Sequence, residues 1–173
     1  MNPSTETDVV AVLEDGRQDF LSATQGLSDA QAATPPAPER WSVLECMEHI
    51  VIVEERFLGW LDAGKPLEKP APDREKEISL MARVMDRSTR AQAPEVVRPQ
   101  GRWATLAAAT GAFNAIRDRS VRTARERGAG LYAVAVEHPR FGPMNGIELL
   151  HVIAGHARRH AQQIGETREA LGV

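Results

Sequence analysis

Two histidines, His156 and His160, stand one helical turn apart in the stretch GIELLHVIAGHARRHAQQI, Gly146 to Ile164. At about 100° per residue, Leu149, Ile153, Ile164 and Leu171 fall on one stripe, and both histidines fall in its middle. Glu148, Arg158, Gln162, Glu166 and Glu169 lie opposite. A buried polar group without a partner costs about 1–3 kcal/mol, so two imidazoles facing a core need a chemical reason. Side chains at i and i+4 meet on a helix and can aim ring nitrogens at one point. A divalent metal at that point would satisfy both. A carbonyl or a buried water would explain a single core histidine. Two on one apolar stripe favour the metal.

Such a site needs a third ligand. The other histidines are His49, His138 and His151. His151 falls on the polar side of its helix and is expected in solvent. His138 precedes Pro139 in a segment that reads as a loop. His49 borders the apolar face of an earlier helix, so it is the one placed to complete the set. Three imidazoles and an open position form the catalytic pattern for zinc, although imidazole suits nickel, iron and copper as well.

Other motifs carry less. His156-Ala-Arg-Arg-His160 is not a metalloprotease HExxH, because Ala157 stands where the general-base glutamate would be. Glu148-Leu-Leu-His151 has the spacing of a di-iron carboxylate motif but occurs once, on the polar face. Gln163 can bond a ligand imidazole or pack as a helix-edge amide, and the sequence does not choose. Arg158 and Arg159 read as outward, solvated charge. Cys46 reads as a small core thiol.

Several elements must position these groups. A helix is expected from about Ser4 to Gly26, with Val9, Val12, Leu13, Gly16 and Phe20 on one stripe. Ser42-Val43-Leu44-Glu45 is a capping box that starts a second helix, running to about Asp62 and carrying His49. A shorter helix is expected over about Arg74 to Arg90, and a long one from Ala104 to Arg127. Residues 131–145 read as irregular, because Pro139 and Pro143 exclude a helix. The last helix runs from Gly146 to about Leu171. Four long helices joined by polar loops argue for an all-α four-helix bundle with an additional short helix and irregular loops.

The 173 residues suffice for one domain, 1–173, with its own core. A net charge of −3 gives no electrostatic footprint for nucleic acid. A single cysteine excludes an intramolecular disulfide framework. No stretch has the length of a membrane span, and the N-terminus lacks the order of a signal peptide. The expected location is cytoplasmic.

W-S-x-x-E-x-x-x-H at Trp41 to His49, followed by H-x-x-x-H-x-x-Q at His156 to Gln163, resembles the DinB/YfiT-like superfamily. FGPMNGIELL, before the last helix, is also similar. The resemblance implies an up-down-down-up bundle and a metal held by His49, His156 and His160. It implies a metal-dependent enzyme acting on a small molecule, either a low-molecular-weight-thiol S-transferase or a hydrolase. Zinc or nickel would be the ion, with iron as a third choice. The other reading is a non-catalytic metal-binding bundle with a structural or sensing role. A homodimer is also expected. On the second helix, Cys46, Ile50, Val53, Phe57 and Trp60 widen the apolar stripe beyond what one core-facing helix needs. Either residues 131–145 or a second subunit must cover them, and the resemblance favours the subunit.

Overall fold

The structure, a computed structural model, describes residues 5–89 and 92–173. Its helices are α1 (Thr5–Thr24), α2 (Asp29–Ala33), α3 (Val43–Asp62), α4 (Arg74–Met85), α5 (Leu106–Arg127) and α6 (Gly146–Leu171). Three short strands, β1 (Lys65–Pro66), β2 (Val134–His138) and β3 (Gly142–Asn145), pair antiparallel in that order. Turns of 3-10 helix occupy Glu95–Val97 and Gly128–Ala133.

The two helices that carry the histidines begin at reciprocal caps. Ser42 Oγ accepts from the Glu45 amide at 3.2 Å, and the Glu45 carboxylate accepts from the Ser42 amide at 2.7 Å. At the start of α6, Asn145 and Glu148 exchange the same pair of bonds, both at 2.9 Å. Each cap satisfies two amides that would otherwise lack partners in the first turn. At the far end of α6, Gly172 has φ +70°, a left-handed stop that suits glycine.

Contacts between helices fix their directions. Arg158 pairs with Asp19, and ten residues on Arg168 donates to the carbonyls of Ala23 and Gln25, so α1 and α6 rise together. Arg117 pairs with Glu54 and Arg127 with Asp62, so α3 and α5 also run together. His156 meets His49 while Gly146 meets Leu61, which makes α3 and α6 antiparallel. Phe20 packs on Phe113 and Arg17 pairs with Asp118, so α1 and α5 oppose each other. The chain is therefore an all-α, up-down-down-up four-helix bundle with a minor sheet.

Packing is tightest between α1 and α6. A Cβ on Gly16 would lie 3.0 Å from the Ala154 carbonyl oxygen, so glycine sets the approach of the two backbones. Val9, Leu13, Phe20, Phe113 and Leu149 fill the space between α1, α5 and α6. No described helix is long and apolar enough to cross a membrane.

Three elements differ from the sequence expectation. The helix from Arg74 stops at Met85, because Asp86 turns to an extended backbone and its carboxylate accepts from the Ser88 amide at 2.8 Å. Its expected last residue, Arg90, and the expected first cap, Ser4, lie outside the described residues. The short α2 begins at a Ser28–Gln31 capping box that the periodicity was too brief to signal. Residues 131–145 are not irregular: they form a 3-10 turn and the β2–β3 hairpin. The two prolines exclude a helix but not a hairpin, since Pro139 lies between the strands and Pro143 sits in the short β3. His138 thus ends a strand. Its ring packs on Phe57 and Trp60, with centroids 5.3 and 5.7 Å away. The chain's own hairpin therefore meets the apolar surplus of α3 at these two residues. Cys46, Ile50 and Val53 are also buried within the chain.

Candidate metal centre

The antiparallel crossing of α3 and α6 brings His49 against His156 and His160. His156 Nε2 lies 3.2 Å from His49 Nε2 and 3.1 Å from His160 Nε2. All three ligand atoms fall within 4.8 Å of one another. Two nitrogens bound to one zinc at 2.0–2.1 Å in a tetrahedron stand roughly 3.3 Å apart, so the two separations that His156 makes, 3.2 and 3.1 Å, fit a shared ion. His49 and His160 are buried, and His156 is half-buried.

Neighbouring groups set the ring orientations. His49 Nδ1 donates to the Val97 carbonyl at 2.7 Å, which leaves Nε2 as the nitrogen with a free lone pair. Trp41 packs on His49 with ring centroids 4.8 Å apart and stacks over His160 at 6.4 Å. Burial lowers the pKa of all three histidines. The nearby imidazoles and Arg159 lower those of His156 and His160 further. Neutral imidazole is the form that binds a metal. His160 Nδ1 is buried without a hydrogen-bond partner. Gln163 is close enough to favour the charged form of His160 slightly, yet closes no hydrogen bond on that nitrogen. Instead its Oε1 is approached by Arg87 Nη1 at 3.5 Å. Donor set and spacing together suit a borderline-soft divalent ion, and no carboxylate or thiolate of the described residues joins the cluster.

The remaining candidates lie elsewhere. His151 is buried rather than solvated. Its Nδ1 donates to the Ile147 carbonyl at 3.0 Å, and its Nε2 faces Glu77 at 3.9 Å. Glu148, expected on the polar face, is buried in its cap and pairs with Lys76 at 2.8 Å. The reason is α4, which packs across the side of α6 that a plain four-helix bundle leaves open. Arg158 and Arg159 are half-buried for related reasons. Arg158 pairs with Asp19 on α1, and Arg159 donates to the Val84 and Asp86 carbonyls at the end of α4. Cys46 is fully buried and outside the cluster. Glu45 spends its carboxylate on the cap. A cleft of about 930 Å³ opens between Trp60, Lys76 and Glu148, and none of the three histidines lines it. The convergent imidazoles therefore lie apart from that cleft.

Sequence reasoning missed the Val97 carbonyl and the ring of Trp41. The carbonyl belongs to an exposed connection with no periodicity, so nothing in the sequence announced it. The tryptophan, eight residues before His49, was visible as part of the motif but not as a packing partner.

Residues 13–164 match the family model of the DinB superfamily. The uncharacterized protein YuaE of Bacillus subtilis strain 168 is 21% identical over 162 residues, spanning 94% of this chain and 98% of its own. YfiT from Bacillus subtilis is described as a probable metal-dependent hydrolase with an unusual four-helix bundle topology. Its solved structure aligns at a TM-score of 0.59 and 17% identity, covering 96% of this chain and 87% of that one. At that identity the likeness establishes the fold.

Proposed function

This chain belongs to the DinB superfamily, and from that premise we propose that it is a metal-dependent enzyme whose His49, His156 and His160 hold one divalent ion. The observation that carries the proposal is the convergence of three Nε2 atoms with no fourth protein ligand among the described residues. Structural zinc sites are ordinarily closed by four protein ligands, and catalytic ones keep a position open. That difference favours the enzyme over a structural or sensing bundle.

A divalent ion held by three neutral imidazoles keeps its full charge and would acidify a water or a thiol bound beside them, making either nucleophilic near neutral pH. The chain's own part is to bind and orient. The Val97 carbonyl fixes the His49 ring, and the one-turn spacing on α6 presents His156 and His160 together. Trp41 covers His49 and His160 and keeps water from that side. His156, the more exposed of the three, marks the direction from which a ligand arrives. The substrate is then a small electrophilic molecule, either hydrolysed or transferred to a low-molecular-weight thiol. Zinc and nickel suit the three imidazoles best, followed by iron.

The test is metal analysis of protein purified without a nickel column. It is followed by assays of thiol transfer and of ester and amide hydrolysis on the zinc- and nickel-loaded chain. Turnover that needs the metal and disappears in His156→Ala is the expected result. Metal bound without turnover in either assay, together with loss of helix on chelation, would move the assignment to the structural reading.

A further inference from the structure

Glu48 immediately precedes His49 on α3 and is 1% exposed. A buried carboxylate needs several donors to offset its lost hydration. Glu48 finds them in one short segment. One oxygen accepts from the Gln100 amide at 2.7 Å, and the other accepts from the Gly101 and Arg102 amides, both at 2.9 Å. The Arg102 guanidinium adds a positive charge at 3.8 Å. Gly101 has φ +80°, a backbone conformation that helps turn three successive amides toward one anion. Hydrogen bonds to an ionised acceptor are among the stronger ones in proteins.

The same connection supplies the partner of His49. The Val97 carbonyl that accepts from His49 Nδ1 lies three residues before Gln100. Adjacent side chains of α3 therefore grip one connection at two points. His49 holds it by a single neutral bond, and Glu48 holds it by three bonds to a carboxylate.

We infer that Glu48 is a positioning residue for the metal centre: by clamping residues 100–102 it keeps the Val97 carbonyl on Nδ1 of His49, and so keeps Nε2 bare for the ion. Its effect on metal affinity rests on the proposed function. Its effect on the His49 tautomer does not need an ion.

Glu48→Gln preserves size but sets an amide NH2 against backbone N–H donors, which loosens the clamp. Long-range 1H–15N spectra of the full, metal-stripped chain read the tautomer directly. The wild type is expected to show His49 protonated at Nδ1, and the variant a mixture of Nδ1–H and Nε2–H forms. Zinc affinity, measured by competition with a chelator, should fall on the order of ten-fold, the usual range for removing an outer partner of a metal-binding histidine. A folded variant with the wild-type tautomer and affinity would overturn the inference. Should Glu48→Gln fail to fold, amide exchange in the wild type decides, because coupling between two sites is reciprocal. The Gly101 and Arg102 amides should exchange more slowly with zinc than without it, and equal rates would overturn the inference. A wild-type chain that binds no zinc ends the metal reading, while the tautomer comparison still decides the role of Glu48.

Discussion

Burial pushes the Cys46 thiol up to about 12, because the thiolate would sit in an apolar interior beside the Glu45 carboxylate. Cys46 should therefore resist Ellman's reagent at pH 8 in the native chain and react at once in denaturant; fast labelling of the native chain would contradict this. His138 titrates inside the accessible range. Burial among Phe57, Trp60 and Phe141 lowers its pKa from 6.5 to about 4, helped by the nearby Arg140. The unfolded chain protonates this histidine near pH 6.5 and the folded chain only near 4. Between those values the unfolded state binds more protons, so acidification costs stability, and above pH 6.5 this residue contributes nothing. The buried triad shifts in the same direction, so His138→Gln should soften, not abolish, the loss of stability between pH 6.5 and 4. Urea unfolding of the metal-stripped chain and the variant at pH 7 and 5 measures the difference; identical losses would contradict it. At this scale the sequence was legible where periodicity placed a side chain, as with His156 and His160. It was misleading at His151 and Glu148, because facing away from one core stripe does not mean facing water when another helix lies across that side.

The start of α3 could be read directly, since its capping box is local chemistry written within four residues, whereas the Asn145–Glu148 box that starts α6 emerged only in the structure. The β2–β3 hairpin was hidden because its alternating stretch is short and its prolines argue as much for a loop as for a strand edge. The tie between helices was also hidden. Arg117 is fully buried, donates to Glu54 through two nitrogens at 2.8 and 2.9 Å, and reaches the Leu13 carbonyl on α1 at 2.6 Å. Ser120 adds a bond to the same carboxylate at 2.6 Å. No linear motif reveals a charge pair 63 residues apart. Glu54→Ala leaves the guanidinium buried without its countercharge and should cost about 3–5 kcal/mol, read from the urea midpoint. Replacing both partners, as Glu54→Leu with Arg117→Met, should cost less than the single change. A larger loss in the double variant would contradict the assignment of the cost to an orphaned charge.

For the whole molecule, the apolar core runs the length of the bundle and does not depend on the histidines. Chelation should therefore leave the far-UV circular dichroism unchanged, and a loss of helix would mean that the ion closes the core. Of the apolar surplus on α3, Cys46, Ile50, Val53 and Phe57 are buried within the chain and Trp60 is half-buried against His138, so the expected homodimer rests mainly on the family resemblance. Light scattering at micromolar concentration tests it, and the mass of one chain would remove it without touching the metal centre. The central claim, that His49, His156 and His160 hold one divalent ion, is tested most directly by calorimetric titration of zinc into metal-stripped wild type and His160→Ala. One equivalent bound by the wild type and none by a variant of unchanged helicity is the predicted result. A wild type that binds no zinc, or a variant that binds it equally well, would contradict the claim.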